Sequence, residues 1–175
     1  MNPCLLYLFL ERIELYEAYF GEDPSYYTDR LEEYEQGHKF TFNFCAGFFG
    51  LGWFLYRKMY VGAILLFVFN ILEFYVATEL ISFINPIEDL NYHLLKFINL
   101  LFCFITVAYL GNYIYIRKSL HVVGKVLSEH KTEEPKRNDL SYLRMKGGVS
   151  LTAAAVPLII LFLVIIGVGV YRLLR

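Results

Sequence analysis

Three long apolar runs dominate the pattern of hydrophobic and polar positions along the chain. They cover residues 60–84, 97–116 and 149–171. A helix needs about 20 predominantly apolar residues to cross the roughly 30 Å hydrocarbon core of a bilayer, and each run is long enough. The dipeptide Asn85-Pro86 stops the first run, since proline disfavours helix at the residue before it. The pattern therefore predicts an all-α integral membrane protein with three full transmembrane helices.

A fourth uncharged segment, residues 40–56, is shorter and has two interpretations. It contains Gly47, Gly50 and Gly52, which weaken a straight helix. In one interpretation it is a short fourth span. In the other it is an interfacial or re-entrant helix that breaks near Gly50 and Gly52 and leads into a long helix beginning near Trp53. The glycines favour the second interpretation.

The first 39 residues have a different character. Apolar residues recur at steps of three or four through residues 4–20, which predicts an amphipathic helix. Asp23-Pro24 has the form of an N-cap followed by proline in the first turn of a second helix. Nine acidic and three basic side chains fall in this region. We expect residues 1–39 to form an acidic amphipathic helical hairpin, and residues 40–175 to form the transmembrane domain.

The placement of lysine and arginine predicts the orientation in the membrane. Loop 117–148 carries eight of these residues, and Arg57-Lys58 follows the glycine-rich segment, whereas residues 87–96 contain one lysine. The positive-inside rule therefore makes 117–148 a cytosolic loop and places 87–96 outside. The N-terminus is cytosolic with three spans and external with four.

Composition supports a membrane protein. Apolar residues make up 57% of the chain and aromatic residues 18%, against a usual apolar share of about 45–50% in soluble domains. The formal net charge of -1 and the lack of a dominant basic face argue against nucleic-acid binding. The partners we expect are the lipid bilayer, and a second copy of the chain or another membrane protein.

Two polar residues lie within the first long run. Glu73 is near its centre, and Asn70 is three residues earlier on the same helical face. A carboxyl group at this depth costs about 2.5–3.5 kcal/mol on insertion scales. In a functional interpretation, the pair lines a proton or cation path or a polar ligand pocket. In a structural interpretation, a protonated Glu73 holds helices together by a hydrogen bond to Asn70, Asn99, Thr106 or a backbone carbonyl.

A cationic and aromatic collar is predicted at the start of the same run. It consists of Trp53, Tyr56, Arg57, Lys58 and Tyr60. Such residues suit a specific site for an anionic headgroup or a partner protein, which Lys118, Lys125 and Lys146 would extend, and they also suit a simple topology anchor.

Catalytic and metal-binding patterns are not found. The three cysteines and four histidines have no metal-ligand spacing, and no nucleophile motif or phosphate-binding loop occurs. We therefore expect no cofactor, no metal and no enzymatic activity.

The stretch FNFCAGFFGLGWFLYRKMY, residues 42–60, resembles the signature of the DUF2628 family of bacterial integral membrane proteins. Segments 111–126 and 144–150 resemble further landmarks of that family, so that the resemblance covers about residues 38–155 and leaves out 1–36. The resemblance implies a bacterial inner-membrane protein. It implies no particular activity, because the family's function is unknown. The matching residues of the signature are Phe42, Asn43, Phe48, Phe49, Gly50, Trp53, Tyr56, Arg57, Lys58, Met59 and Tyr60.

The function that these features predict is non-catalytic. We expect a small multi-pass membrane scaffold or interaction protein that acts through its collar and its cytosolic loop. One alternative is a component of an oligomeric channel or transporter that uses Glu73. The other is a membrane-resident immunity or defence factor that shields a target by binding it.

Overall fold

The computed structural model describes residues 3–84, 90–129 and 137–156, together with positions 159, 160, 163 and 166. Within these residues all regular secondary structure is helical, as predicted, and residues 151–156 are helical beyond the last bounded element. The helices are α1 (Pro3–Phe20), α2 (Pro24–Glu35), α3 (Phe44–Phe49), α4 (Leu51–Tyr56), α5 (Tyr60–Ile84), α6 (Leu90–Glu129) and α7 (Arg137–Lys146).

Two helices of the described chain, α5 and α6, are long and apolar enough to cross a membrane. Helix α5 has the bounds predicted for the first span. Helix α6 contains the second predicted span and has 40 residues, which at 1.5 Å per residue is about 60 Å, twice the hydrocarbon thickness. The described chain thus has two such helices where three were predicted, because the third predicted span, 149–171, is described only in part, at residues 149–156, 159, 160, 163 and 166.

Most apolar side chains of α5 and of the first half of α6 point outward. Only 6% of the most apolar window of α5 is buried, and 17% of that of α6. Val61 is 73% exposed and Phe83 is 87% exposed. A core helix of a soluble domain would bury most of this surface, since soluble monomers rarely expose large contiguous apolar patches.

The core lies elsewhere, at the end of the molecule where α1, α2, α4, α7 and the second half of α6 meet. Its buried side chains come from all five helices and include Tyr19, Tyr27, Phe54, Tyr115 and Leu143. Residues 1–39 therefore share one core with α6 and α7. The domain boundary at residue 39 stays a prediction.

The turn between α1 and α2 differs in one detail from the prediction. Gly21 and Asp23 both have positive φ, 67° and 56°. Proline occupies the first turn of α2 as predicted, but the Asp23 side chain makes no capping hydrogen bond. Asp23 contributes a left-handed backbone conformation, which aspartate tolerates better than most residues.

The glycine-rich segment 40–56 forms two six-residue helices, α3 and α4, with a break at Gly50. Asn43 caps α3, because its side-chain oxygen accepts a hydrogen bond of 2.9 Å from the Ala46 N–H. Gly50 has φ 48° and ψ −117°, a conformation that strongly favours glycine. The predicted break near Gly50 is confirmed, whereas Gly52 lies within α4.

The expectation that a long helix begins near Trp53 is wrong. Helix α4 ends at Tyr56, and Lys58 adopts the left-handed conformation with φ 53°. The Met59 N–H donates to the Phe54 carbonyl at 2.8 Å and the Lys58 N–H to the Leu55 carbonyl at 3.0 Å. These two bonds form a Schellman motif, which terminates a helix. The chain therefore turns here, and α5 starts afresh at Tyr60.

Helix α7 is fastened to the end of α1 by two glycines. The Gly147 N–H donates to the Leu143 carbonyl at 2.8 Å and ends α7, and the Gly148 N–H donates to the Tyr19 carbonyl at 2.7 Å. Gly148 has φ 62°. The Ser150 N–H then bonds the Tyr56 carbonyl of α4 at 2.8 Å. The carboxyl ends of α1, α4 and α7 consequently meet at one place.

Candidate functional site

Aromatic rings fill the place where these helix ends meet. The ring centroids of Tyr27 and Tyr115 are 4.8 Å apart, and those of Phe20 and Tyr27 are 5.4 Å apart. Phe20 and Tyr115 are separated by 5.8 Å. Trp53 packs edge-on against Tyr115 at 6.1 Å. The rings come from α1, α2, α4 and α6, so they join the N-terminal helices to the long helix α6.

Arg57 lies inside this aromatic cluster. It follows α4 directly and is only 3% exposed. Its guanidinium carbon is 4.5 Å from the centroid of the Tyr27 ring, and 5.5 Å from those of Tyr56 and Tyr115. Its Nη1 donates to the Phe20 carbonyl at 3.2 Å and to the Glu22 carbonyl at 3.2 Å. We call Arg57 with Phe20, Tyr27, Tyr56 and Tyr115 the arginine cage.

The arginine cage compensates a buried charge without a carboxylate. No ion pair to Arg57 forms within the part of the chain that the structure describes. The Phe20 carbonyl closes α1, and a helix carboxyl end carries about half a negative charge. Three ring faces add cation–π attraction, worth about 2 kcal/mol where the cation is desolvated. These contacts replace part of the water that the guanidinium loses, and the buried Nε of Arg57 has no hydrogen-bond partner within the described residues.

Burial also sets the ionisation of the tyrosines around the cage. It raises the pKa of Tyr27 above the usual value, and the neighbouring Arg57 opposes the shift without cancelling it. Burial likewise raises the pKa of Tyr19. Both phenols are therefore neutral at physiological pH and contribute ring faces and hydroxyls, with no charge of their own.

A second buried polar group supports α3. The Asn43 Nδ2 donates to the Asn112 Oδ1 at 2.7 Å. The Asn112 Nδ2 donates in turn to the Tyr26 hydroxyl and to the Thr41 Oγ1, each at 3.0 Å. Asn112 is 1% exposed. This network connects α6 to α2 and to the start of α3. It was not predicted from the sequence, although the position of Asn112 within an apolar run indicates a buried polar residue that needs a partner.

The predicted collar does not form one ring. Trp53 and Arg57 face the core and are 5% and 3% exposed, whereas Tyr56 is half-buried and its hydroxyl donates to the exposed Glu22 carboxylate. The expected surface position of Arg57 is wrong, because its partners are carbonyls and rings of distant segments. Lys58 points the other way and donates to the Met145 carbonyl at 3.1 Å. Tyr60 is 50% exposed. Binding of a headgroup or partner by these residues stays a prediction.

The polar residues of α5 are not bonded to each other. The Asn70 Nδ2 donates to the Leu66 carbonyl of its own helix at 2.9 Å. Glu73 is half-buried and interacts with the Cys103 thiol of α6. Cys103 was not among the partners expected for Glu73. Asn70 and Cys103 line a cavity of about 530 Å³ between α5, α6 and the α3 region. Whether this pair is functional or structural stays open to experiment.

Metal ligands are not gathered anywhere in the described segments. No group of three histidine, cysteine, aspartate or glutamate side chains is close enough there to hold an ion. The described cysteines, Cys45 and Cys103, are free thiols.

Comparison with known proteins gave one match. A family described as a protein of unknown function, DUF2628, matches residues 10–122. The match begins within α1, so that residues 10–20 of α1 and all of α2, which the resemblance left out, lie inside it. It ends before segment 144–150, which was expected to be a landmark. No curated protein and no solved structure matched the chain. Because the match covers more than half of the sequence, the chain belongs to the DUF2628 family, whose function is unknown.

Proposed function

We propose that the protein is a multi-pass protein of the bacterial inner membrane that acts without catalysis, as a scaffold for a partner in the cytosol. The membrane location is supported by the outward-facing apolar surfaces of α5 and α6. Lipid tails would cover these surfaces, because apolar surfaces of this size are rarely exposed to water. The third apolar run, 149–171, is proposed as a further span on its length alone.

The packing of the N-terminal helices supports a common side of the membrane for α1, α2 and α7. Helix α1 contacts both α2 and α7, and these three helices contact α6. Helix α5 leads away from Lys58 and α6 leads back to Lys118, so the helical module formed by α1, α2 and α7 lies at one end of both spans. The positive-inside rule makes this end cytosolic.

The arginine cage is the observation that carries the scaffold proposal. It joins the last turn of α1 to the start of α5 through Arg57, and to α6 through Tyr115. A rigid connection of this kind holds the helical module in a fixed orientation above the membrane. Presenting a fixed surface is what a scaffold requires, since preorganisation lowers the entropic cost of binding.

The surface that α1, α2 and the turn between them present is acidic. Exposed carboxylates on α1, on α2 and in the turn between them are Glu14, Glu17, Glu22, Asp23, Asp29 and Glu32. Like charges repel the anionic lipid surface, which keeps this face directed to the cytosol. The partner that fits it carries a basic surface, because electrostatic complementarity speeds encounter and selects among partners.

Site-specific photo-crosslinking in intact cells tests the scaffold proposal. A photoreactive residue in place of Asp29, on the acidic face, is expected to form one discrete protein adduct. The additional change Glu32→Lys, three residues away on the same face, is expected to lower its yield about tenfold, since it removes one charge and adds the opposite one. The matched control replaces Val76 of α5, which is 66% exposed and is expected to yield lipid adducts without a protein band.

The alternative function, a channel or transporter component, predicts a result that would contradict the scaffold proposal. It rests on Glu73 beside Cys103 and on the cavity that Asn70 lines. It requires an oligomer whose axis is lined by Glu73, and a cation or proton flux in proteoliposomes that Glu73→Gln abolishes. Such a flux, together with the absence of any adduct from the acidic face, would overturn the scaffold proposal.

A further inference from the structure

An apolar groove runs along the membrane-facing side of the molecule between α5 and α6. Its volume is about 1020 Å³, at the upper end of the range of about 300–1,000 Å³ for small-molecule sites. Its walls include Val61, Leu65 and Phe69 of α5, and Leu110 and Ile114 of α6. The groove is separate from the arginine cage, since no residue of the cage lines it.

Three lysines close one end of this groove. Lys58, Lys118 and Lys146 all line it. The Lys118 Nζ donates to the Lys58 carbonyl at 2.8 Å, and the Lys58 Nζ donates to the Met145 carbonyl at 3.1 Å. Lys118 also lies close enough to Lys58 and Lys146 for their charges to repel. We call these three residues the lysine cluster.

The lysine cluster is not neutralised by acidic side chains. Within the described residues no carboxylate forms an ion pair with any of the three, although repulsion among them is unfavourable. Lys146 lies over the Tyr142 ring at 5.8 Å, a cation–π contact that attracts the ammonium group but brings no opposite formal charge. An anion at this end of the groove would relieve the repulsion, and lysine is a common point-charge ligand of phosphate.

The length of the groove matches one leaflet of a bilayer. From Tyr60 to Phe69 helix α5 advances nine residues, which is about 14 Å. Half of the hydrocarbon core is about 15 Å. The lysine cluster lies at the same end of α5 and α6 as the helical module. A lipid with its headgroup at the cluster and an acyl chain in the groove would therefore lie at the depth that it normally has in the inner leaflet.

We propose that the lysine cluster and the apolar groove form a binding site for an anionic phospholipid of the inner leaflet, with the phosphate among the three lysines and an acyl chain between α5 and α6. Charge complementarity favours this occupant over segments of the protein itself. The apolar run 149–171 carries no charged residue and so cannot neutralise the three lysines, and residues 172–175 include two arginines, which the lysines would repel. The N-terminal helices of a second copy are acidic and present polar faces, which do not suit an apolar groove.

Lipid binding to the full-length protein in detergent, measured by native mass spectrometry, tests this site. The probes are dioleoyl phosphatidylglycerol and dioleoyl phosphatidylcholine, which have the same chains and differ in net charge. We expect the anionic lipid to bind about 100-fold more tightly, since each lysine near a phosphate contributes roughly fivefold. The change Lys146→Gln is expected to weaken the anionic lipid about fivefold and leave the zwitterionic lipid unchanged.

Two controls separate the site from general surface charge. Arg144→Gln removes the same charge two residues away on α7, from an exposed residue outside the groove, and is expected to leave lipid binding unchanged. The change Leu65→Trp fills the groove and is expected to weaken both lipids at least fivefold. Leu65 is 65% exposed, so that folding should survive the change.

Three results would overturn the proposal. They are equal binding of the two lipids, equal losses for Lys146→Gln and Arg144→Gln, and displacement of the anionic lipid by inorganic phosphate at the same concentration. The site rests on the proposed membrane location, which is measured in parallel by fractionation of the same cells. Membrane partition without lipid preference contradicts the lipid site alone, whereas failure to partition contradicts the proposed function.

Discussion

Replacing Gly147 by alanine is expected to detach α7 from α1 and to lower the free energy of unfolding by about 3 kcal/mol. A Cβ atom at this position would lie 1.9 Å from the Tyr19 carbonyl oxygen and 2.7 Å from the Tyr19 carbonyl carbon. Both are backbone atoms of a buried turn, so that neither can move away without breaking the 2.7 Å bond from the Gly148 N–H to the same oxygen.

The matched control for this change is Gly124→Ala. Gly124 lies within α6, and a Cβ there would meet nothing within 4 Å. Because alanine is the better helix former by about 0.8–1.0 kcal/mol, the control should be neutral or slightly stabilising. Thermal unfolding in detergent, followed by circular dichroism, compares the two variants. Equal midpoints for Gly147→Ala and Gly124→Ala would mean that α7 does not dock on α1 as described.

Replacing Arg57 by methionine is expected to destabilise the protein by about 3 kcal/mol. Methionine keeps most of the side-chain volume, so that the change removes charge and hydrogen bonds without opening a large cavity. The Phe20 and Glu22 carbonyls each lose a donor. Three tyrosine rings lose the cation that they surround. Relief of the desolvation of a buried charge offsets part of these losses.

The control for the arginine cage is Arg12→Met. Arg12 is exposed and its ion pair with Glu35 is long, at 3.8 Å. An exposed pair of this kind contributes at most about 1 kcal/mol, so that we expect a small effect. Limited proteolysis within residues 1–39 adds a local readout, since loss of the cage should release α1 and α2 before α5 and α6 unfold. If Arg57→Met were as stable as the wild type, the contacts of Arg57 would do no more than offset the desolvation of its charge. The arginine cage would then not fix the helical module to α6.

The sequence was sufficient for the elements whose signal is local. The bounds of α5 follow from a run of apolar residues that ends before Asn85-Pro86. The break at Gly50 follows from glycine's conformational freedom. Each of these depends on residues within one or two helical turns, which a pattern along the chain can represent.

The candidate sites were harder to predict because their partners are distant in sequence. The sequence predicts Arg57 to be a surface anchor because it follows an apolar segment. In the structure the end of α1 buries it, at Phe20, which lies 37 residues earlier. The bond between Asn43 and Asn112 spans 69 residues. The lysine cluster likewise draws its members from the turn before α5, from α6 and from the end of α7. Residue pattern alone carries no information about which of these segments meet.

The central claim, that lipid covers the outward faces of α5 and α6, is tested most directly by thiol labelling at Leu72. A variant without native cysteines carries a single cysteine at Leu72, which is 60% exposed in the middle of α5, or at exposed Asp29 of α2. Both are treated with a hydrophilic maleimide in native membranes opened by sonication. We expect rapid labelling at position 29, and labelling at least 100-fold slower at position 72 until denaturant and detergent are added. Equal rates at the two positions would show that water covers α5, which would contradict the account.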